Sequence, residues 1–196
     1  VAEMLWNTDP QALAEALKEP GVYVVAGRSG LYDIRTGEIG TFIARAKSVS
    51  HLADVREGVV LNIPRVPFSL LDRAINFFYN YKEKYNAEAR YQIFWDREKK
   101  EYFYHIPKFT STEVSLETER SVELEREHLL VVDLHSHLSR GAFFSPTDDL
   151  NEMESERFYG VIAVGSPVPV IKLRFSCGGN YVYVNPWVVF EPPLEW

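Results

Sequence analysis

The run Leu129-Leu130-Val131-Val132-Asp133-Leu134 constrains this chain more than any other segment. It is nearly continuously apolar, the mark of a β-strand covered on both faces. Such a strand needs a layer above and a layer below, so the chain must build a sheet flanked by helices. The 196 residues suffice for one ordinary domain, or for a core domain with a small appendage.

The neighbouring segments supply those layers. Leu70, Leu71, Ala74, Ile75, Phe78 and Tyr81 form one apolar stripe, which predicts a long amphipathic helix ending near Lys84. Residues 89–95 and 101–106 read as a β-hairpin around a charged loop, and residues 161–164, 168–175 and 181–184 as three further strands. A helix should open at Ser145-Pro146 and run to about Phe158. The acid-rich stretch 113–127 reads as a solvated connection or helix face. Upstream, Asp9-Pro10 predicts a first helix that Pro20-Gly21 stops. Residues 21–63 then alternate short β-rich runs (22–25, 42–46, 59–63) with glycines, which predicts three to five short strands. Pro64 and Pro67 mark a joint. The expectation is an α+β chain of α/β-layered type: residues 1–66 form a helix plus β-rich extension, and 67–196 form the main domain, a mixed sheet flanked by helices.

Charge and cysteine content narrow the partners. With 21 Lys plus Arg against 28 Asp plus Glu, the net charge of −7 lacks the broad basic field that non-specific nucleic-acid binding needs. Tyr102-Phe103-Tyr104 therefore reads as strand packing before a base-stacking platform. The single cysteine, Cys177, has no internal disulfide partner, which fits a reducing compartment. No apolar run approaches the ~18 residues of a membrane span, and Val1-Ala2-Glu3-Met4 does not open a signal peptide. These features predict a soluble, cytoplasmic protein with no nucleic-acid or membrane partner.

The chemistry concentrates after the buried strand, in Asp133-Leu134-His135-Ser136-His137 and, seven residues on, Ser145-Pro146-Thr147-Asp148. Residues two apart on a strand face the same way, so His135 and His137 present both imidazoles to one side. Asp148 falls in the first turn of the expected helix, where the positive end of the dipole favours a carboxylate. Two His and one Asp on a tetrahedral Zn²⁺ leave one position open for water, the pattern of a catalytic site. Each half alone has an ordinary use: His-x-His as an accident of strand composition, Ser-x-x-Asp as a helix-capping pair. Together, at this order and spacing, they read as metal ligands. His51, His105 and His128 lack ligand-like spacing and read as surface or core histidines.

His-x-His, seven residues, then Ser-x-x-Asp resembles the motif of the JAMM (Mov34/MPN/PAD-1, JAB) zinc metalloproteases at every fixed position. The wider string, from Val132 through Ala142-Phe143-Phe144-Ser145 to Asp149, is similar to a bacterial branch of that family, PRTRC system protein A. The resemblance covers roughly residues 66–183. It implies a curved mixed sheet of JAB/MPN-like, cytidine-deaminase-like fold, one Zn²⁺ per chain on His135, His137 and Asp148, and Ser145 as donor to the carbonyl oxygen. It also implies a general-base Glu at the start of the strand after the first long helix, a place Glu88 occupies; Tyr91 stands where the family usually has Gly, and Glu57, Glu98 and Glu101 are rivals.

The implied activity is zinc-dependent isopeptidase or peptidase hydrolysis at the C-terminal tail of a ubiquitin-like or sulfur-carrier-like protein, with activating-like and conjugating-like enzymes as partners. The alternative is a non-catalytic MPN-like scaffold in a modifier-conjugation or plasmid-associated system. Hydrolysis of a small amide, as in deaminases of similar layering, is a third reading, weakened by the lack of a cysteine pair for zinc. The acids 148, 149, 152, 154 and 156 against Arg157 suggest a rim that steers a basic tail. Asp133 is placed to orient an imidazole, and Asp149 to point away from the site.

Overall fold

Register in the larger sheet follows from the buried run. The computed structural model describes residues 2–49, 56–113, 116–119, 121–153 and 155–193, with the Glu117 side chain outside that set. Two compact units divide the chain, Val1–Arg56 and Glu57–Trp196.

The first unit carries strands β1 (Glu3–Trp6), β2 (Gly21–Gly27), β3 (Gly30–Gly37) and β4 (Gly40–Arg45) in that order across one sheet, with helix α1 (Pro10–Ala16) between β1 and β2. The β1–β2 pair is parallel and the other pairs antiparallel. Asp9 caps α1 by accepting from the Gln11 N–H, and Pro10 opens it, as the sequence predicts. Tyr23, Val25 and Ile34 form a small core with Leu5, Leu13 and Leu17 packed on it. Strand β1 was not legible because only one of its residues is even half-buried.

The second unit holds helix α2 (Phe68–Tyr85), strands β5 (Arg90–Asp96), β6 (Glu101–His105), β7 (Phe109–Ser111) and β8 (Leu116–Thr118), and helix α3 (Val122–Glu127). Strand β9 (Leu129–His137), helix α4 (Pro146–Glu152), strands β10 (Arg157–Ala163), β11 (Val170–Cys177) and β12 (Asn180–Val184), and helix α5 (Pro186–Val189) follow. The main sheet runs β12-β11-β10-β9-β5-β6, and β7 and β8 make a separate hairpin. Only β9–β10 is parallel within the main sheet. The unit is therefore a mixed α+β layer structure.

Register partners share a face, which sorts the sheet into two sides. Tyr91, Leu134, Gly160 and Leu173 form one row, and they are buried in the core that Leu71, Ala74 and Phe78 of α2 complete. Gly160 is required there: a Cβ would lie 2.5 Å from Leu134 Cδ2 and 2.9 Å from Leu173 Cδ1. The opposite face carries the row Gln92, Asp133, Tyr159 and Arg174, beside the row containing Arg90 and His135. On β6, Tyr102, Phe103 and Tyr104 pack across strands on Trp95, Phe94 and Tyr91, at ring-centroid distances of 4.7, 5.5 and 5.2 Å.

Two sequence expectations need correction. Residues 59–63 form no strand; Val59, Leu61 and Ile63 pack instead on the larger core, so the unit boundary falls between Arg56 and Glu57 rather than at 66/67. Helix α4 stops at Glu152 rather than near Phe158, because β10 already begins at Arg157 and its first apolar residue, Phe158, belongs to the sheet core. The acid-rich stretch carries the expected helix face as α3 and adds the short strand β8.

Candidate metal centre

Strand β9 lies between β5 and β10, and its C-terminal end supplies two side chains to the face opposite α2. His135 and His137 are both buried, and their Nε2 atoms lie 3.2 Å apart. The backbone holds this end tightly. Ser136 N–H donates to the Ala89 carbonyl at 2.9 Å, and Ala89 N–H donates to Ser136 Oγ at 2.8 Å. That reciprocal pair ties the entry to β5 to the end of β9 and so brings Glu88 alongside the imidazoles.

Glu88 reaches its place through the end of α2. Asn86 takes the left-handed conformation (φ 48°) and its N–H donates to the Lys82 carbonyl at 2.8 Å, stopping the helix with a sharp turn. Two residues later Glu88 is buried, its N–H donates to the Thr112 carbonyl at 3.0 Å, and its Oε1 lies 4.0 Å from His137 Nε2.

Asp148 arrives from the start of α4. Ser145 is the N-cap, Pro146 opens the first turn, and Ser145 with Asp148 makes a reciprocal capping box. Asp148 Oδ2 accepts from the Ser145 N–H at 2.6 Å and from its hydroxyl at 2.7 Å, while Oδ1 lies 3.6 Å from His135 Nε2. One carboxylate oxygen is thus anchored and the other is aimed at the imidazoles.

The three ligand atoms of His135, His137 and Asp148 lie within 4.8 Å of one another. A small divalent cation with bonds of about 2.0–2.1 Å holds tetrahedral donors about 3.4 Å apart. The measured 3.2 and 3.6 Å fall on either side of that spacing. Burial lowers both imidazole pKa values, which keeps the rings in the neutral, metal-ligating form. Burial opposes the Asp148 charge, but His135 and the Ser145 hydrogen bonds outweigh it and hold the carboxyl below its ordinary range. The donor set can hold a metal ion.

A cavity of about 590 Å³ opens over the cluster, lined by Glu88, Arg90, His135, His137, Asp148 and Glu152 among others. Burial, reinforced by the Asp148 charge, pushes Glu88 up to about 7. Phe143 sets its ring edge-on to His137 at 4.6 Å and is half exposed at the mouth.

The structure therefore brings His135, His137, Asp148, Ser145 and Glu88 together. The rivals Glu57, Glu98 and Glu101 are exposed and line no part of this cavity. The Ser145 hydroxyl proton is directed to Asp148 rather than into the cavity. Tyr91, at the position where the resembled family usually has Gly, is fully buried with its ring stacked on Tyr104 at 5.2 Å. Asp133 does not orient an imidazole: it accepts from Arg90 Nε at 2.7 Å and Gln92 Nε2 at 3.3 Å, the polar side chains that β5 sets beside it. His105 and His128 are half-buried away from the cluster, His105 beside the Ser121 hydroxyl and His128 against the Phe103 ring. His51 lies outside the described residues, and Cys177 is exposed.

Two of the five acids of the expected rim, Asp149 and Glu152, share one buried arginine. Arg174 of β11, 2 % exposed at its side chain, contacts Asp149 Oδ1 and Glu152 Oε2, each at 2.6 Å, and Arg157 contacts Glu125 at 3.1 Å; Glu154 lies outside the described residues. Glu152 is buried beneath Asp148. Glu152 is legible in the sequence only as one acid of the rim, and Arg174 not at all, because an Arg on a strand carries no signal until the fold sets a carboxylate over it.

No family model matches the chain, and no curated protein matches it. Among solved structures, it is similar to the solution structure of protein DSY2949 from Desulfitobacterium hafniense, at 12% identity and a TM-score of 0.45 over 61% of this chain and 88% of that one. Among the described residues, no helix is long and apolar enough to cross a membrane.

Proposed function

We propose that this chain is a zinc-dependent amide hydrolase of JAMM type, its larger unit a JAB/MPN-like domain. In this reading it is an isopeptidase or peptidase acting at the C-terminal tail of a ubiquitin-like or sulfur-carrier-like protein, alongside activating-like and conjugating-like enzymes. The observation that carries the reading is the arrival of Glu88, from a distant part of the chain, 4.0 Å from His137 in the cavity that His135 and Asp148 also line. Three donors alone describe a metal site; three donors with a buried carboxyl beside them describe a hydrolytic one.

His135, His137 and Asp148 would hold the zinc ion, which when bound would supply Lewis acidity to the reaction. Glu88 does the proton work: it accepts a proton from the attacking water as the new C–O bond forms and returns it to the nitrogen as the C–N bond breaks. A buried carboxyl 4.0 Å from His137 is placed to serve both halves. Ser145 fixes the direction of Asp148, and its hydroxyl reaches a carbonyl oxygen only on leaving Oδ2. Phe143 packs its ring edge against one side of His137.

The test combines metal analysis of the purified protein with cleavage of modifier–peptide fusions by wild type and Glu88→Gln. Retained zinc with a loss of about 10²–10⁴-fold in rate is the expected result. Equal cleavage by both proteins removes Glu88 from the mechanism, and absence of bound metal removes the hydrolase reading.

A further inference from the structure

We infer that Arg174 is the positioning residue that aims Asp148 at the cation site, acting through Asp149 and Glu152. This rests on the reading of His135, His137 and Asp148 as metal ligands. The argument begins with α4, which has only seven residues, Pro146–Glu152. A helix of that length has no stability of its own in water, so its orientation must be imposed from outside. The capping box fixes its first turn. Arg174 fixes the rest.

The guanidinium is almost wholly buried on the face of the sheet that carries Asp133 and the His135 row. Nε donates to Glu152 Oε2 at 2.7 Å, and Nη1 donates to Asp149 Oδ1 at 2.6 Å. The Phe144 and Tyr181 rings lie against the cation, with centroids 3.8 and 4.1 Å from Cζ. Phe144 immediately precedes the N-cap, and the Tyr181 hydroxyl donates to the Asp149 carbonyl. One side chain from β11 therefore grips the residue next to Asp148, the residue one turn beyond it and the residue leading into its cap.

Asp148 and Glu152 are four apart on one helix face, and both line the cavity. The rigid fork of Arg174 reaches Asp149 and Glu152 at once, which a lysine ammonium does not reproduce.

The experiment measures Zn²⁺ affinity by competition with a chromophoric chelator, and the visible spectrum of the Co²⁺-substituted protein, for wild type, Arg174→Lys and Asp149→Asn. Asp149 is half exposed, so its variant tests the idea even if Arg174→Lys does not fold. The expected result is a folded protein with affinity reduced about 10–100-fold and a weakened tetrahedral cobalt band. Folded variants that match wild type in affinity and cobalt spectrum overturn the positioning role and leave the metal site standing. A wild type that binds neither metal overturns both.

Discussion

Glu88 carries a carboxyl on which burial and a neighbouring charge act in the same direction. Its pKa is raised to about 7 from an ordinary 4.5. In metal-free protein the folded state keeps this proton after the unfolded state has released it, so stability is full below about pH 4.5 and declines as pH rises through 7. Glu88→Gln escapes that decline. The metal-free variant should match wild type near pH 4.5 and exceed it above pH 7 by about 1–3 kcal/mol after allowance for solvent screening, read from urea melts across pH. A pH-independent difference between the two proteins would assign Glu88 no titration in this range. Ser145 offers a second residue-level test. Ser145→Ala removes the N-cap acceptor and one of two anchors on Asp148 Oδ2, so it should cost about 1 kcal/mol of stability and weaken metal binding together. Loss of turnover with stability and metal affinity unchanged would instead give the hydroxyl a role on substrate alone.

At the level of elements, the ends matter more than the middles. The turn after β9 stays close to the turn after β10 because Val164 N–H donates to the His137 carbonyl and Gly165 N–H to the Ser139 carbonyl, each at 2.9 Å. A Cβ on Gly165 would press into the Ser139 carbonyl, which is backbone and has nowhere to move. Gly165→Ala should therefore destabilise by about 1–3 kcal/mol and loosen the imidazoles, seen as a lower thermal midpoint and weaker metal retention. The termination of α4 is equally an affair of contacts. Ser176 Oγ donates to the Glu152 carbonyl at 2.6 Å and Gly179 N–H to the Met153 carbonyl at 3.1 Å, so β11 and its turn to β12 satisfy the groups on which another helical turn would depend. Local pattern could place the Ser145-Pro146 start, whose cap chemistry is written in adjacent residues. It could not place the stop, whose partners lie more than twenty residues away.

At the scale of the whole chain, the candidate metal ligands His135, His137 and Asp148 all belong to the Glu57–Trp196 unit. A cation at 1,000 times its dissociation constant stabilises the state that binds it by about 4 kcal/mol. Calorimetry with and without chelator should therefore shift the unfolding of that unit, while the Val1–Arg56 unit unfolds at an unchanged temperature. A metal-dependent shift in both would show that the two units unfold together. What depends on near neighbours was already readable from the order of the residues. The 129–134 run fixed a doubly covered strand, His135 and His137 a shared face, Ser145 and Asp148 a cap, and the stripe from Leu71 to Phe78 the buried side of α2. Each follows from a period of two or 3.6 residues, or from one turn of helix. Tertiary structure alone decided that Asp133 serves Arg90 and Gln92, that residues 59–63 join the larger core, and that Arg174 pairs with Asp149 and Glu152. Those outcomes depend on which strands become neighbours, and strand pairing is chosen by burial summed over the whole sheet rather than by any local period.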